Sequence, residues 1–184
     1  MDNGDGTVSD LGTGLMWEKK GLDGGVHDGR NTYTWSSGAG PMALMDGTIS
    51  TVFLDLLNAR CDGDAAFACS EDAHCTVPGG PGGRCGFAGY RDWRIPNINE
   101  LLSLAAFGEA SLLPVELNHP WGCFEGCAIR GPASCSCPMD GWMWSSTSEW
   151  GGGRAWALSS DYYPSLSLFD YPSIWRARAV RGGY

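Results

Sequence analysis

Eight cysteines, all between positions 61 and 137, constrain what this chain can fold into more than any other feature. They are Cys61, Cys69, Cys75, Cys85, Cys123, Cys127, Cys135 and Cys137, an even set in surroundings rich in Gly, Pro and Asp. Such a set indicates a disulfide framework formed in an oxidising compartment. It falls into two insertions, 61–85 and 123–137, the first carrying Pro78-Gly79-Gly80-Pro81-Gly82-Gly83. Neither has helical or strand periodicity, so both are expected to be loops held by disulfides. Cys123-x3-Cys127 followed by Cys135-x-Cys137 offers an alternative, a four-thiolate zinc site. Its spacing departs from paired C-x2-C, and the acidic, Gly-rich setting favours disulfides. Eight cysteines allow 105 pairings, and spacing does not choose among them.

The 184 residues suit one domain with insertions. Gly 28, Trp 9 and Tyr 6 stand beside only 12 Lys+Arg, which describes a loop-rich fold around aromatic anchors rather than a helical bundle or a disordered tail. A net charge of -9 argues against a nucleic-acid binder, which needs a basic stripe, and against adsorption to anionic membranes. No apolar run is long enough for a membrane span, so no membrane insertion is expected. Met1 leads at once into Asp2-Asn3-Gly4-Asp5-Gly6, so an export signal or anchor is expected upstream of this segment.

From Thr7 to Lys20 the chain reads as a turn and a strand anchored by Leu11, Leu15 and Trp17. A polar stretch from Gly21 to Gly40 holds Tyr33-Thr34-Trp35. Val52, Phe53, Leu56, Leu57 and Ala59 recur at helical spacing, which predicts a helix over roughly Thr48 to Arg60. A second helix starts at Asn97, with Glu100 three residues later as the partner of a capping box. Ile98, Leu101, Leu102 and Ala105 form its apolar face. Strands are expected over Trp142 to Ser148, Arg154 to Ser160, Leu166 to Tyr171 and Arg176 to Gly182. Two short amphipathic helices beside these strands predict an α+β class, the helices packed on a small antiparallel sheet. Trp142, Trp144 and Trp156 are assigned to the core.

Chemistry-bearing patterns are sparse. Asp2-Asn3-Gly4-Asp5-Gly6-Thr7, with Asp10 as a further oxygen donor, resembles the start of a calcium loop, but no Glu stands at the twelfth position. The plainer reading is an Asp/Gly turn leading into the first strand. No cofactor other than calcium at Asp2, Asn3, Asp5 and Asp10 is expected. His27, His74 and His119 lie in loop-like stretches, no hydrolase, metalloprotease or nucleotide-binding motif appears, and no carboxylate pair is marked for acid/base work. The expectation is that the chain is not an enzyme. Arg176, Arg178 and Arg181 form the one basic cluster. They suit either an anionic ligand such as a sulfated glycan or, as the favoured reading, internal pairing with acidic loops.

Several landmarks stand in a familiar order. These are Asp2 to Asp10, Thr13-Gly14-Leu15-Met16-Trp17, Tyr90-Arg91-Asp92-Trp93-Arg94-Ile95-Pro96-Asn97-Ile98-Asn99-Glu100-Leu101, Trp144-Ser145-Ser146-Thr147, Ala155-Trp156 and Arg178-Ala179-Val180-Arg181-Gly182-Gly183. Together they resemble the domain at the C-terminus of the Legionella collagen-like protein, the Lcl_C family. The resemblance covers nearly the whole chain as one such domain, 1–184. It implies a C-type-lectin-like fold with both termini in one sheet, and a secreted or cell-surface bacterial adhesion module with a protein or glycan ligand. The related formylglycine-generating enzymes supply an alternative function, but their copper-binding cysteine pair near the C-terminus has no counterpart, because no cysteine follows Cys137. A third reading is a structural cap on a longer surface protein.

A narrower resemblance is to variable proteins of diversity-generating retroelements, whose hypervariable residues lie between fixed motifs like Trp144 to Thr147 and Arg178 to Gly183. From Ser159 to Ile174 the chain contains no Lys, Glu, Gln, Met or Trp, the types such mutagenesis excludes. Its Tyr and Ser content matches that of antibody paratopes. The implied ligand-binding residues are Trp150, Arg154, Asp161, Tyr162, Tyr163 and Ser165, continuing through Ser167, Phe169, Asp170, Tyr171, Ser173, Ile174 and Trp175. Among them Asp161, Tyr162 and Tyr163 are better surface candidates than the neighbouring Leu166 or Leu168. Phe169 and Tyr171 share one face of a strand.

Overall fold

The computed structural model describes residues 1–38, 40, 43–62, 64–76, 83–104, 127, 136–137, 139, 141–159 and 165–182. The strands, in chain order, are β1 (Thr7–Ser9), β2 (Leu15–Glu18), β3 (Tyr33–Thr34), β4 (Arg60–Cys61), β5 (Asp64–Ala68), β6 (Trp142–Ser148), β7 (Arg154–Ser159), β8 (Leu166–Asp170), β9 (Ile174–Trp175) and β10 (Val180–Gly182). A π-helical turn, Ile49–Leu54, runs into α1 (Asp55–Asn58); α2 is Asp72–Thr76 and α3 is Ile98–Ser103. This is an α+β, loop-rich architecture of small antiparallel sheets and short helices.

The central sheet has the order β6-β7-β8. Strand alternation sends Trp144, Ala155 and Ala157 to one face and Met143 and Leu158 to the other. The first face packs on Ile49, Phe53 and Leu57 of the first helical segment, with Tyr33, Trp35 and Trp93 filling in around them. The second packs on Leu101 and Leu104 at α3, together with Val8, Leu15, Trp17 and Val180. Each short helix therefore buries its stripe against an opposite side of one sheet. The terminal sheet has the order β1-β2-β10, so the N-terminal hairpin pairs with the C-terminal strand, as the resemblance implied.

The capping box forms as the sequence indicates: the Glu100 N–H donates to Asn97 Oδ1 (3.0 Å), and the Asn97 N–H donates to Glu100 Oε2 (2.7 Å). Leu101 is fully buried, Ile98 and Leu102 are half-buried, and Ala105 lies outside the described residues. Three expectations need correction. Leu11 is 79% exposed rather than an anchor, because it occupies the β1–β2 turn. Of the expected strand from Arg176 to Gly182, only Val180–Gly182 (β10) is a strand, and Arg176 makes a single bridge to Met143. Between Arg176 and β10 the chain leaves the central sheet, where the Arg176 N–H donates to the Trp142 carbonyl (3.0 Å), and crosses to β2, where Ala179 accepts from the Glu18 N–H (3.0 Å). Of the three tryptophans assigned to the core, only Trp144 is fully buried; Trp142 and Trp156 are half-buried.

The first cysteine-bearing insertion also carries more order than a loop. β4 and β5 form a hairpin beside α2, and Cys61–Cys75 and Cys69–Cys85 are disulfides with Cα separations of 5.6 and 5.7 Å. They close 14 and 16 residues, loops for which chain entropy assigns about 3 kcal/mol each. In the second insertion Cys127 pairs with Cys137, so these two sulfurs are not zinc ligands; Cys123 and Cys135 lie outside the described residues.

Gly86 (φ +84°) shows what the insertion demands of its exit: a Cβ there would strike the Tyr90 carbonyl. Gly4 (φ +77°) has nothing within 4 Å. Gly4→Ala is expected to cost about 1 kcal/mol, the left-handed penalty alone, and Gly86→Ala more than about 2 kcal/mol, because collision adds to it. Urea unfolding of both variants measures the difference, and equal costs would contradict the packing described.

Candidate binding surface

The residues indicated by the sequence gather around the central sheet, and the sheet's connectivity decides which of them meet. Because β6, β7 and β8 are antiparallel, the β6–β7 turn and the end of β8 fall at the same end of the sheet, and the end of β7 and the start of β8 at the other. β8 has five residues, so the two ends lie roughly 14 Å apart along the strand.

At the first end, the turn after β6 holds Trp150 94% exposed. The turn is closed by an ion pair and a backbone hydrogen bond. Arg154 donates from Nε and from a terminal nitrogen to the two Glu149 carboxylate oxygens, both at 2.8 Å, a bidentate pair. The Glu149 N–H donates to the Arg154 carbonyl (2.8 Å). Gly151 and Gly153 take φ of +71° and +68°, and a Cβ at Gly152 would run into the Glu149 carboxylate. The Tyr171 N–H donates to the Gly153 carbonyl (3.2 Å), Asp170 is the register partner of Arg154, and Ile174 pairs with Thr34. Trp150, Asp170 and Ile174 (59%) are thus exposed at one end, with Ser173 half-buried between them.

The remaining residues separate from this group. Tyr171 is buried and stacks on Trp35 (4.5 Å between ring centres), so it belongs to the core rather than to a recognition surface. Phe169 is half-buried among Trp142 (4.9 Å), Trp175 (4.7 Å) and Trp144 (6.3 Å), where it fills an aromatic cluster that includes the half-buried Trp175. Phe169 and Tyr171 do not share one strand, since β8 ends at Asp170 and Tyr171 turns inward. Ser167 is half-buried in mid-strand, and Ser165 is exposed at the opposite end, where its carbonyl accepts from the Ser159 N–H (2.8 Å). Asp161, Tyr162 and Tyr163 lie outside the described residues.

The fold also buries an ionic cluster that strand patterning passes over. Glu18 Oε1 accepts from Lys20 Nζ and from His27 Nδ1, both at 2.8 Å, and Oε2 accepts from the Ala179 N–H (2.9 Å). Glu18, Lys20 and Arg178 are all buried; Arg178 donates to the Glu18 carbonyl (2.9 Å) and to Ser136 Oγ (3.2 Å), and Lys20 Nζ lies 4.4 Å above the Phe53 ring. Burial pushes the Glu18 carboxyl upward, but Lys20 and His27 outweigh it and hold it below its ordinary range. Burial draws the Lys20 ammonium down against the pull of Glu18, and draws Arg178 down to about 10. Asp28, buried as well, is held well below its usual value by the Arg30 side chain. The signal available in the sequence was Glu18 and Lys20, two charges at strand spacing directly after Trp17.

The basic cluster is absorbed internally. Arg181 pairs with Asp92 (2.7 Å) and stacks on Tyr90 (3.7 Å), Arg176 Nε donates to the Gly29 carbonyl (3.0 Å), and Arg178 is in the buried cluster. The N-terminal carboxylates are engaged locally. Asp2 pairs with Lys19 (2.5 Å), Asp5 accepts from Thr7 (2.6 Å), Asn3 donates to Thr7 (2.8 Å) and Asp10 accepts from Thr13 (2.6 Å). Among the described residues, the sulfurs of Cys61, Cys69 and Cys75, all disulfide-bonded, lie within 4.8 Å of one another. An open polar groove of about 510 Å³ runs along Thr13, Leu15, Arg94, Asn97, Asn99, Glu100 and Ser103, and holds none of the expected ligand-binding residues.

Fold and surface together define a disulfide-stapled α+β domain that presents an aromatic-tipped turn. The sequence profile of the family described as the Lcl C-terminal domain matches residues 6–181, and the chain belongs to that family. No curated protein and no solved structure matches the chain. No helix among the described residues is long and apolar enough to cross a membrane.

Proposed function

We propose that this chain is an extracellular ligand-binding domain of C-type-lectin-like fold that acts by recognition rather than catalysis, with its contact surface at the end of the central sheet formed by Trp150, Asp170, Ser173 and Ile174. The observation that carries the reading is Trp150. Exposing it forgoes a burial contribution of a few kcal/mol, yet the turn that displays it is closed by a bidentate Arg154–Glu149 ion pair, with Gly151 and Gly153 permitting its positive φ angles. A preorganised exposed tryptophan is the typical anchor of an interface hot spot. The ligand is a protein or a glycan.

The reading extends to retroelement-driven diversification. Exposed Ser165, Asp170 and Ile174 are positions where side chains can change without disturbing the core. Tyr171 is not such a position. Across independent isolates, substitutions are expected to concentrate in 159–174 at the exposed positions while Tyr171 stays aromatic. Changes spread evenly along the chain would overturn diversification without touching the binding claim.

For the binding claim, the purified chain is screened against an oligosaccharide array and a displayed peptide library, and each hit is titrated with Trp150→Ala. The expected result is at least about a 30-fold loss of affinity, equivalent to a hot spot of about 2 kcal/mol, with an unchanged melting temperature. Full affinity in Trp150→Ala for every hit would remove this surface from consideration.

A further inference from the structure

Among its described residues, the insertion between Arg60 and Cys85 has almost no hydrocarbon core. Its buried cluster is Cys61, Cys69, Cys75 and Cys85, with Phe67 packed against them. A unit this small cannot hold a hairpin and a helix together by apolar burial alone; it depends on cross-links. The sulfurs of Cys61, Cys69 and Cys75 lie within 4.8 Å of one another, and Cys85 joins the group through its bond to Cys69. Four buried sulfurs therefore share one small volume, reached from β4, α2 and the two flanking segments.

A tetrahedral zinc tetrathiolate holds sulfurs about 2.3 Å from the metal, and hence about 3.8 Å from one another. That spacing is inside the reach observed for Cys61, Cys69 and Cys75, and Cys85, held next to Cys69 by its disulfide, completes the set by side-chain rotation once that bond opens. We propose that Cys61, Cys69, Cys75 and Cys85 form a structural site for a soft divalent ion of the zinc class when the two disulfides are reduced. A thiol reductant opens each bond: two electrons and two protons pass to the cysteine pair, and the reductant leaves as its own disulfide. The ion then displaces four thiol protons and takes four thiolates as ligands. Zinc suits the set because four thiolates favour a soft, tetrahedral, redox-inert cation. The insertion is thereby stapled in reducing and oxidising settings by the same four side chains.

The test uses the full chain carrying Cys127→Ser and Cys137→Ser, which removes the other described cysteine pair. It is reduced with a phosphine under anaerobic conditions and titrated with Co(II), then with Zn(II). The expected result is one equivalent of Co(II) with the visible bands of a tetrahedral thiolate site, displaced by Zn(II), and loss of those bands when Cys61→Ser and Cys75→Ser are added. Cys75→His separates ligation from folding: it preserves four donors but cannot form the Cys61–Cys75 disulfide, and is expected to retain Co(II) with shifted bands. Absence of the tetrahedral spectrum from the parent, its persistence in the Cys61→Ser/Cys75→Ser chain, or failure of Cys75→His to bind Co(II) would each overturn the proposal.

Discussion

Replacing Glu18 with Gln is expected to destabilise the chain by about 3–5 kcal/mol, because it leaves buried positive charge without its counter-ion. Among the described residues, Glu18 is the carboxylate paired with both Lys20 and His27, and it also receives the Ala179 N–H that fixes the start of β10. Adding Lys20→Met to Glu18→Gln is expected to recover a large part of the loss, since the uncompensated ammonium is then gone. Urea unfolding of the two single variants and the double variant measures the coupling. A cost below about 1 kcal/mol for Glu18→Gln would mean that the cluster does not carry the frame.

The pH dependence carries the same cluster's signature. The folded carboxyl of Glu18 lies below its ordinary 4.5, so its contribution is fully present above that value and is lost as the pH falls through the depressed folded value. Asp28 acts in the same direction. In Glu18→Gln this part of the acid limb disappears. The Lys20 ammonium, already drawn below its ordinary 10.5 by burial, falls further once Glu18 no longer opposes that shift. Between the depressed folded value and 10.5 the unfolded chain then holds more protons than the folded one. The variant should therefore gain stability as the pH rises through that window.

The second large effect is expected at Trp144. Its side chain is fully buried at the middle of the central sheet, its Nε1 donates to the Tyr33 carbonyl (2.8 Å), and its ring meets Phe169 edge-on. Trp144→Ala removes the largest side chain on that face and strands the Tyr33 carbonyl, for an expected loss of about 3–5 kcal/mol, or about 10 °C or more in melting temperature. Trp144→Phe keeps most of the apolar volume but loses the hydrogen bond, and should cost about 1–3 kcal/mol. Thermal unfolding followed by circular dichroism separates the two; similar losses would show that the hydrogen bond, not the ring, dominates.

These residues show why parts of the fold were readable in advance. The Asn97–Glu100 box depends on a three-residue spacing and formed as indicated, and β7 was read from alternation within a few residues, Ala155 and Ala157 on one face and Leu158 on the other. The last expected strand failed because Ala177 to Ala179 pass between two sheets, a position set by the partners on either side rather than by local pattern. The recognition segment behaved in the same way. Composition marked Ser159 to Ile174 as one continuous surface, yet pairing of β7 with β8 divides it between two ends of a sheet.

What the sequence alone determined is the chemistry that acts over a few residues: the α+β class, the capped helix, the cysteine framework as a class of cross-link, and the family to which the order of motifs belongs. Only the tertiary structure decided which cysteines pair, that Tyr171 stacks inward on Trp35, and that Trp150 stands clear of the core on an ion-paired turn. It alone brought Glu18 against Arg178, 160 residues apart in the chain. The reason is physical: burial and ion pairing are properties of residues distant in sequence, and no local spacing encodes which distant partner a side chain will meet.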